Sequence, residues 1–228
     1  MSLESAHRPV QAVLFDLDGT LLDTAPDMTG ALNQLRIEND LEPLPFDALR
    51  PCVSHGSARL VRVGFPDQAE SELPPLQRRF LAIYSANLSK GTRLFPGMEQ
   101  VLDELQSMGL RLGIVTNKPG WLTIPLLEQL ELDARFACVV SGDTLAQRKP
   151  HPLPLLHAAQ LAQAEPAHCI YVGDAERDIQ AARAANMTSL IALYGYIGAG
   201  DRPAEWNADG DLSEPPELLP WLRVNGRL

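Results

Sequence analysis

Short runs of apolar residues recur along the chain and, in its second half, alternate with stretches whose apolar positions fall at helical spacing. The stretches predict helices at about 98–108, 120–131, 152–163 and 175–186. Continuous apolar strands between amphipathic helices are typical of a parallel sheet covered on both faces. We therefore expect an α/β fold with a Rossmann-like parallel sheet. The predicted strands are AVLF (12–15), LGIV (112–115), ACVV (137–140), CIYV (169–172) and LIAL (190–193).

The alternation is interrupted between the first and second strands. Helices are predicted there at about 25–40, 46–50, 55–64 and 71–89, and Thr24 and Asp27 are expected to cap the first of them. An unstructured loop of this length would be unusual, so we expect a helical insertion. The chain then divides into a discontinuous core, 1–21 and 92–228, and an inserted domain, 22–91. The tail, 198–217, is predicted to be loop before a short last helix.

The charge balance is acidic, with 19 Lys and Arg against 29 Asp and Glu in 228 residues. A net charge of −10 argues against general binding to nucleic acid or to anionic membranes. The three cysteines have no metal-ligand spacing, and Cys138 and Cys169 lie in apolar runs, which indicates buried thiols in a reducing compartment. The first ten residues lack a secretory apolar segment, and we expect a soluble, cytoplasmic protein.

Polar residues follow each of the first four predicted strands. Asp16 and Asp18 follow the first, the Thr116–Lys118 segment the second, Lys149 the third and Asp174 the fourth. The carboxyl ends of parallel strands share one edge of a sheet, and ligands bind there. We therefore expect these side chains to meet.

Carboxylates held this close repel one another, and at least one would have to take a proton unless a cation intervened. Mg²⁺ prefers oxygen ligands, uses one or two carboxylates and leaves room for phosphate oxygens. A magnesium ion (or manganese), an ammonium group and a hydroxyl together describe a phosphoryl site. Asp16 is then placed to attack phosphorus and form an aspartyl-phosphate, while Asp18 moves the proton.

The motifs DLDGT, a Thr ending the second strand, KP after the third strand and GDAERD after the fourth resemble the four ordered motifs of the haloacid dehalogenase-like hydrolase superfamily. The resemblance covers the whole chain. It implies that Asp16 is the nucleophile and Asp18 the general acid/base, and that Thr116 binds the phosphoryl group. It also implies that Lys149 neutralises that group and orients Asp16. Asp174 is implied as a metal ligand, with Asp16 and the main-chain carbonyl of Asp18.

The same resemblance assigns supporting residues. Asp178 is expected to support the metal ligands from behind, Gly19 to allow a sharp backbone turn, and Thr20 to satisfy amides of the loop. The helical insertion is similar to the C1 cap of the superfamily, which closes over the substrate. The cap segment of His55, Gly56 and Ser57 is then expected to face the site and bind the leaving group.

Further substrate contacts are expected from charged residues near these motifs. Arg59 or Arg62 is a candidate for pairing with a substrate carboxylate, and Asn117 and Lys118 are candidates because they adjoin Thr116. The alternative for either arginine is a solvated face of a cap helix. The tryptophans are expected to be packing residues, and they are Trp121, Trp206 and Trp221.

Within the superfamily, TNKP, RKPHPLPLL and YGY look most like bacterial phosphoglycolate phosphatases. YGYI with the later Trp206, Ala208 and Asp209 also resembles N-acetylmuramic acid 6-phosphate phosphatases. A phosphomutase similar to β-phosphoglucomutase and a phosphate-sensing receiver-like protein remain as alternatives. The expected partner is a small phosphorylated metabolite of carbohydrate metabolism, bound by a monomer or homodimer.

Overall fold

Six parallel strands form the central sheet of the computed structural model, which describes residues 9–225. The strand order is β5-β4-β1-β6-β7-β8, so the chain crosses from one side of β1 to the other between β5 and β6. The predicted α/β fold and all five predicted strands are confirmed. The strands of this sheet are β1 Ala12–Phe15, β4 Arg111–Val115, β5 Cys138–Val140, β6 Cys169–Gly173, β7 Thr188–Ala192 and β8 Gly210–Leu212, and a separate antiparallel pair consists of β2 Leu22–Asp23 and β3 Arg93–Leu94.

The central strand is apolar throughout because both of its faces are buried. Val13 and Phe15 join one core cluster, and Ala12 and Leu14 join another on the opposite face. Successive side chains of a strand point to opposite faces, so a strand covered twice needs apolar residues at every position. The topological switch therefore falls beside β1, at the edge where ligands bind in such sheets.

The core helices cover both faces of the sheet, and the four whose bounds were predicted begin within one residue of their predicted starts. Each ends earlier than expected, since the pattern continues into the residues that form the last turn. Residues 1–8 and 226–228, which belong to the predicted core domain, lie outside the described residues. The core helices are α5 Met98–Ser107, α6 Gly120–Gln129, α7 Leu153–Leu161, α8 Glu176–Ala184 and α9 Leu218–Val224.

The insertion after β1 is helical, and its first helix packs against its third and fourth. Buried Leu32 and Leu60 from this unit share a cluster with Phe15 and Val172 of the sheet. The cap and the core therefore share one apolar interior along their contact. The domain limits at 22–91 remain a prediction, although the β2–β3 pair joins the two ends of the insertion. The helices are α1 Ala25–Ile37, α2 Phe46–Leu49, α3 Gly56–Gly64 and α4 Leu73–Ser85.

One expectation about local structure is wrong, and the cap of α1 agrees with expectation only in part. The predicted tail loop contains β8, which pairs with β7. Its sequence is short and polar, so it lacks the apolar pattern that predicts a strand. Thr24 is the N-cap residue of α1 and Asp27 lies in its first turn, as predicted, but the Thr24 hydroxyl makes no cap hydrogen bond and donates instead to Asp18. Asp27 accepts bonds from Gly91 and Thr92 and so ties α1 to the end of the insertion. No helix among residues 9–225 is both long and apolar enough to cross a membrane.

Candidate active site

Asp16 lies directly after β1 and is 3% exposed. Its Oδ1 accepts a hydrogen bond from the Leu17 amide at 2.7 Å and lies 2.9 Å from Nζ of Lys149. Its Oδ2 has no hydrogen bond among the described residues, and the residue lines a cavity between core and cap. The carboxylate is thus fixed through one oxygen, and the other is left for an incoming group.

The Lys149 ammonium is fully buried and surrounded by oxygen atoms. Besides Asp16, it lies 2.8 Å from Oδ1 of Asp178 and donates to the Val115 carbonyl at 2.9 Å and the Tyr171 hydroxyl at 2.7 Å. A buried ammonium needs such partners because it has lost its water. Lys149 lies where the sequence places it, beside Asp16.

Three carboxylates gather at the rim of the sheet, because Asp174 follows β6 and Asp178 lies in the first turn of α8. Asp16, Asp174 and Asp178 each offer an oxygen within 4.8 Å of the others. Burial, together with Asp16 and Asp178, raises the pKa of Asp174 to about 7. Burial also raises the pKa of Asp178, although the Lys149 ammonium opposes that rise. Asp178 thus belongs to the acidic cluster itself, whereas the resemblance implied a supporting position behind it.

The cluster fits a hard divalent cation. Oδ1 of Asp174 is buried and has no hydrogen-bond partner among residues 9–225. A buried carboxylate oxygen without a donor is costly, and a cation would satisfy it. All of the available donors are oxygens, the type that Mg²⁺ binds.

The loop after Asp18 turns tightly against this cluster. Gly19 has φ +83°, and a Cβ there would lie 2.2 Å from Oδ2 of Asp174, so the position requires glycine. Thr20 does not satisfy loop amides as expected, because the amides of residues 19–22 donate to the carbonyls of Leu17 and Leu22. The Thr20 hydroxyl is buried and has no partner in the described part of the chain.

Thr116 and Asn117 follow β4 and line the cavity. The Thr116 hydroxyl oxygen accepts from the Lys118 amide at 3.1 Å, which leaves its proton available to a ligand. Asn117 pairs with the backbone of Lys149, donating to the carbonyl at 2.9 Å and accepting from the amide at 3.0 Å. Its side chain therefore positions the Lys149 loop, and the expected substrate contact by Asn117 stays a prediction.

Lys118 also differs from its expected role. Its buried ammonium lies 2.9 Å from Oδ1 of Asp18 and donates to the Tyr84 hydroxyl of the cap at 2.8 Å. Burial alone would lower the pKa of Lys118, but the Asp18 carboxylate and Tyr84 outweigh burial, so that pKa is raised. Asp18 also accepts from the Thr24 hydroxyl at 2.7 Å. Lys118 thus pairs with the predicted acid/base instead of reaching out toward a substrate.

The cap contributes the segment His55, Gly56 and Ser57 to the cavity lining, as expected from its position. The Ser57 hydroxyl accepts from the Gln77 amide at 2.9 Å. The expectation for the two arginines is not supported by their positions. Arg59 is exposed and does not line the cavity, and Arg62 is paired with the 66–70 loop of the cap.

The cavity has a volume of about 790 Å³ and is lined by both core and cap. Trp121, expected to be a packing residue, is 51% exposed and forms part of the lining. Which residues line the cavity depends on how the cap packs on the core, and the sequence pattern does not indicate that. Two of the missed residues could have been found because they adjoin recognised motifs: Ser54 precedes HGS, and Arg177 lies inside GDAERD. The lining residues that the sequence analysis missed include Ser54, Gln77, Tyr84, Trp121, Arg148 and Arg177.

Comparisons with known proteins agree with this geometry. A family model for haloacid dehalogenase-like hydrolases matches residues 13–192. A phosphoglycolate phosphatase of Xylella fastidiosa is 46% identical over 92% of this chain and 91% of its own length. An N-acetylmuramic acid 6-phosphate phosphatase of Pseudomonas aeruginosa is 36% identical over 92% of this chain and 93% of its own. A crystal structure described as a predicted phosphoglycolate phosphatase from Haemophilus somnus has a TM-score of 0.82 at 27% identity, covering 93% of this chain and 97% of that one.

The matched segment runs from the strand that leads to Asp16 to the end of β7, so it includes every residue of the acidic cluster. The relatives cover the cap as well as the core, since the alignments span more than nine-tenths of the chain. The chain therefore belongs to the haloacid dehalogenase-like hydrolases and is a phosphatase of that family.

Proposed function

We propose that the chain hydrolyses a small phosphomonoester with the help of Mg²⁺, through an aspartyl-phosphate on Asp16. The observation that carries the proposal is that Asp16, Thr116 and Lys149 line one cavity, while Asp174 offers a carboxylate oxygen within 4.8 Å of one of Asp16. An anchored carboxylate, a hydroxyl and an ammonium beside an acidic cluster suit a phosphoryl group better than a neutral carbonyl.

In the proposed reaction, an oxygen of Asp16 bonds to phosphorus as the bond from phosphorus to the ester oxygen breaks. Asp18 supplies a proton to that departing oxygen and later takes one from the water that hydrolyses the aspartyl-phosphate, so no other reactant is needed. Lys149, 2.9 Å from Asp16, holds the nucleophile in place. Thr116 donates its hydroxyl proton to a phosphoryl oxygen.

The metal would be held by Asp16, Asp174 and the main-chain carbonyl of Asp18, with Asp178 beside them. When bound, Mg²⁺ (or Mn²⁺) supplies positive charge that offsets the charge of the phosphoryl oxygens. The protein's own part is to hold three buried acids within 4.8 Å of one another, an arrangement that favours a cation over protons.

The first candidate substrate is 2-phosphoglycolate, since relatives at 46–47% identity carry that name. The second is N-acetylmuramic acid 6-phosphate, and a specific observation favours it. A cavity of about 790 Å³ is large for a two-carbon acid, and the half-exposed ring of Trp121 on its wall offers a surface for a sugar. Residence in the cytoplasm and a monomeric or dimeric state remain predictions.

A panel of phosphate esters tests these assignments. We expect phosphate release from at least one of 2-phosphoglycolate, N-acetylmuramic acid 6-phosphate and hexose 6-phosphates, and none from the Asp16→Asn variant. Trp121→Ala is expected to lower kcat/KM for a sugar substrate and to spare phosphoglycolate. Retention of the phosphoryl group on a product isomer would favour the phosphomutase, and no turnover of any ester would contradict the proposal.

A further inference from the structure

A cap segment, the 3₁₀ turn Arg50–His55, is seated on the core turn 194–196. Arg50 donates to the Gly195 carbonyl at 3.0 Å and to the Tyr194 carbonyl at 3.2 Å, and its guanidinium lies 4.9 Å from the centre of the Tyr196 ring. Main-chain acceptors and an aromatic face together suit an arginine and not a lysine. The contact defines where the cap sits on the core.

The same cap segment reaches the acidic cluster. The Ser54 hydroxyl donates to Oδ2 of Asp174 at 2.6 Å, and the amide of Tyr196 donates to that oxygen at 2.9 Å. From the core side, Arg177 donates to the Ser54 carbonyl at 2.6 Å and holds the serine in place. One donor to Asp174 therefore comes from the cap and one from the turn on which Arg50 is seated.

These bonds determine the orientation of the carboxylate. Two donors fix Oδ2 of Asp174. Its other oxygen, Oδ1, has no donor among the described residues. The same carboxylate is one of the three that form the acidic cluster. Groups that hydrogen-bond to a metal ligand and fix its orientation typically change metal affinity by about 10–100-fold. Here such a group belongs to the cap, which is not the domain that carries the ligand.

We propose that Ser54 is a positioning residue for Asp174, and that Arg50 docks the cap so that Ser54 can reach it. Because the bond exists only when the cap is seated, metal binding and cap docking favour each other, and by reciprocity each strengthens the other equally. The inference rests on the proposed function, which provides the metal. Ser54 touches neither substrate nor phosphorus in this role.

The experiment measures Mg²⁺ and Mn²⁺ binding to the full chain by titration calorimetry, without substrate. We expect Ser54→Ala and Arg50→Ala to weaken binding by about 10–100-fold, and Ser54→Thr, which keeps the hydroxyl, to restore most of it. Cys52→Ser is the matched control, since Cys52 lies in the same turn and its hydrogen bond stays within the cap, to the Ala48 carbonyl. Its metal affinity should match that of the wild type.

A second measurement follows cap docking by proteolysis of the full chain with and without Mn²⁺. Metal should protect the wild type and fail to protect Ser54→Ala, while circular dichroism verifies that the variant is folded. Unchanged metal affinity in folded Ser54→Ala, with a wild type that binds metal, would overturn the inference and leave the proposed function standing. A wild type that binds neither metal would refute the metal requirement of the proposed function, and the inference with it.

Discussion

Replacement of Lys149 by methionine is the most demanding test of the buried charge arrangement. Methionine keeps most of the length of the side chain and removes the ammonium that lies 2.9 Å from Asp16 and 2.8 Å from Asp178. The side chains of Lys149 and Asp178 are 0% exposed and that of Asp16 is 4% exposed, so water cannot take over the lost contacts. Removing one partner of a buried ion pair typically costs about 3–5 kcal/mol.

The loss of unfolding free energy in Lys149→Met should depend on pH in a defined direction. Burial raises the pKa of Asp178 and Lys149 opposes that rise, so without Lys149 this acid binds its proton still more tightly in the folded protein than in the unfolded chain, and the variant loses stability as pH rises. We expect a loss of about 3–5 kcal/mol at about pH 8 and a smaller loss at about pH 5. Adding Asp178→Asn to Lys149→Met should regain part of the loss at the higher pH, since one uncompensated charge is removed.

Urea unfolding in excess chelator measures these free energies without a contribution from metal. The control is Lys90→Met, because Lys90 is exposed and surface substitutions usually change stability by less than about 0.5 kcal/mol. A loss below about 1 kcal/mol at both pH values, or one that does not vary with pH, would refute the assignment of Lys149 as the counter-ion of buried carboxylates.

Further predictions concern the acid/base, the glycine turn and the acidic cluster. Asp18→Asn should slow turnover strongly for alkyl phosphates and less for nitrophenyl phosphate, whose leaving group needs no proton; equal losses in kcat would count against its role. Gly19→Ala should cost about 1–3 kcal/mol in backbone strain and should also lower metal affinity. Its control is Gly109→Ala, at φ +76°, where an added Cβ would have no neighbour within 4 Å; this variant should show the strain alone in urea unfolding. Because the pKa of Asp174 is about 7 when folded against 3.8 ordinarily, the metal-free protein should lose stability as pH rises between those values, and Mg²⁺ or Asp174→Asn should reduce the loss in thermal melts.

The parallel sheet was predictable because its strands carry a signal that does not depend on distant contacts. A strand buried on both faces must be apolar at each position, as Ala12–Phe15 is. The strand Gly210–Leu212 lacks that signal because it lies at the sheet edge and only Leu212 is buried. Its pairing with β7 depends on the whole sheet being in place, so local sequence does not indicate it.

The gathering of polar side chains at one rim of the sheet was predictable for a similar reason. Asp16, Thr116, Lys149 and Asp174 each follow a strand, and parallel strands bring their carboxyl ends to one edge whatever the loops do. The contacts between the cap and the core follow no such rule. The bonds of Lys118 to Tyr84 and of Ser54 to Asp174 depend on how two packed units meet, and nothing in the spacing of those residues indicates it.

The central claim is that Asp16 carries the phosphoryl group during turnover, and trapping tests it most directly. The protein is mixed with Mg²⁺ and whichever ester the panel shows to be hydrolysed, quenched in acid and treated with borohydride, which reduces an aspartyl-phosphate to homoserine. Peptide mass spectrometry should find homoserine at position 16 and at no other aspartate, with none when substrate is left out. Rapid turnover with unmodified Asp16, or a modification at another carboxylate, would contradict the claim.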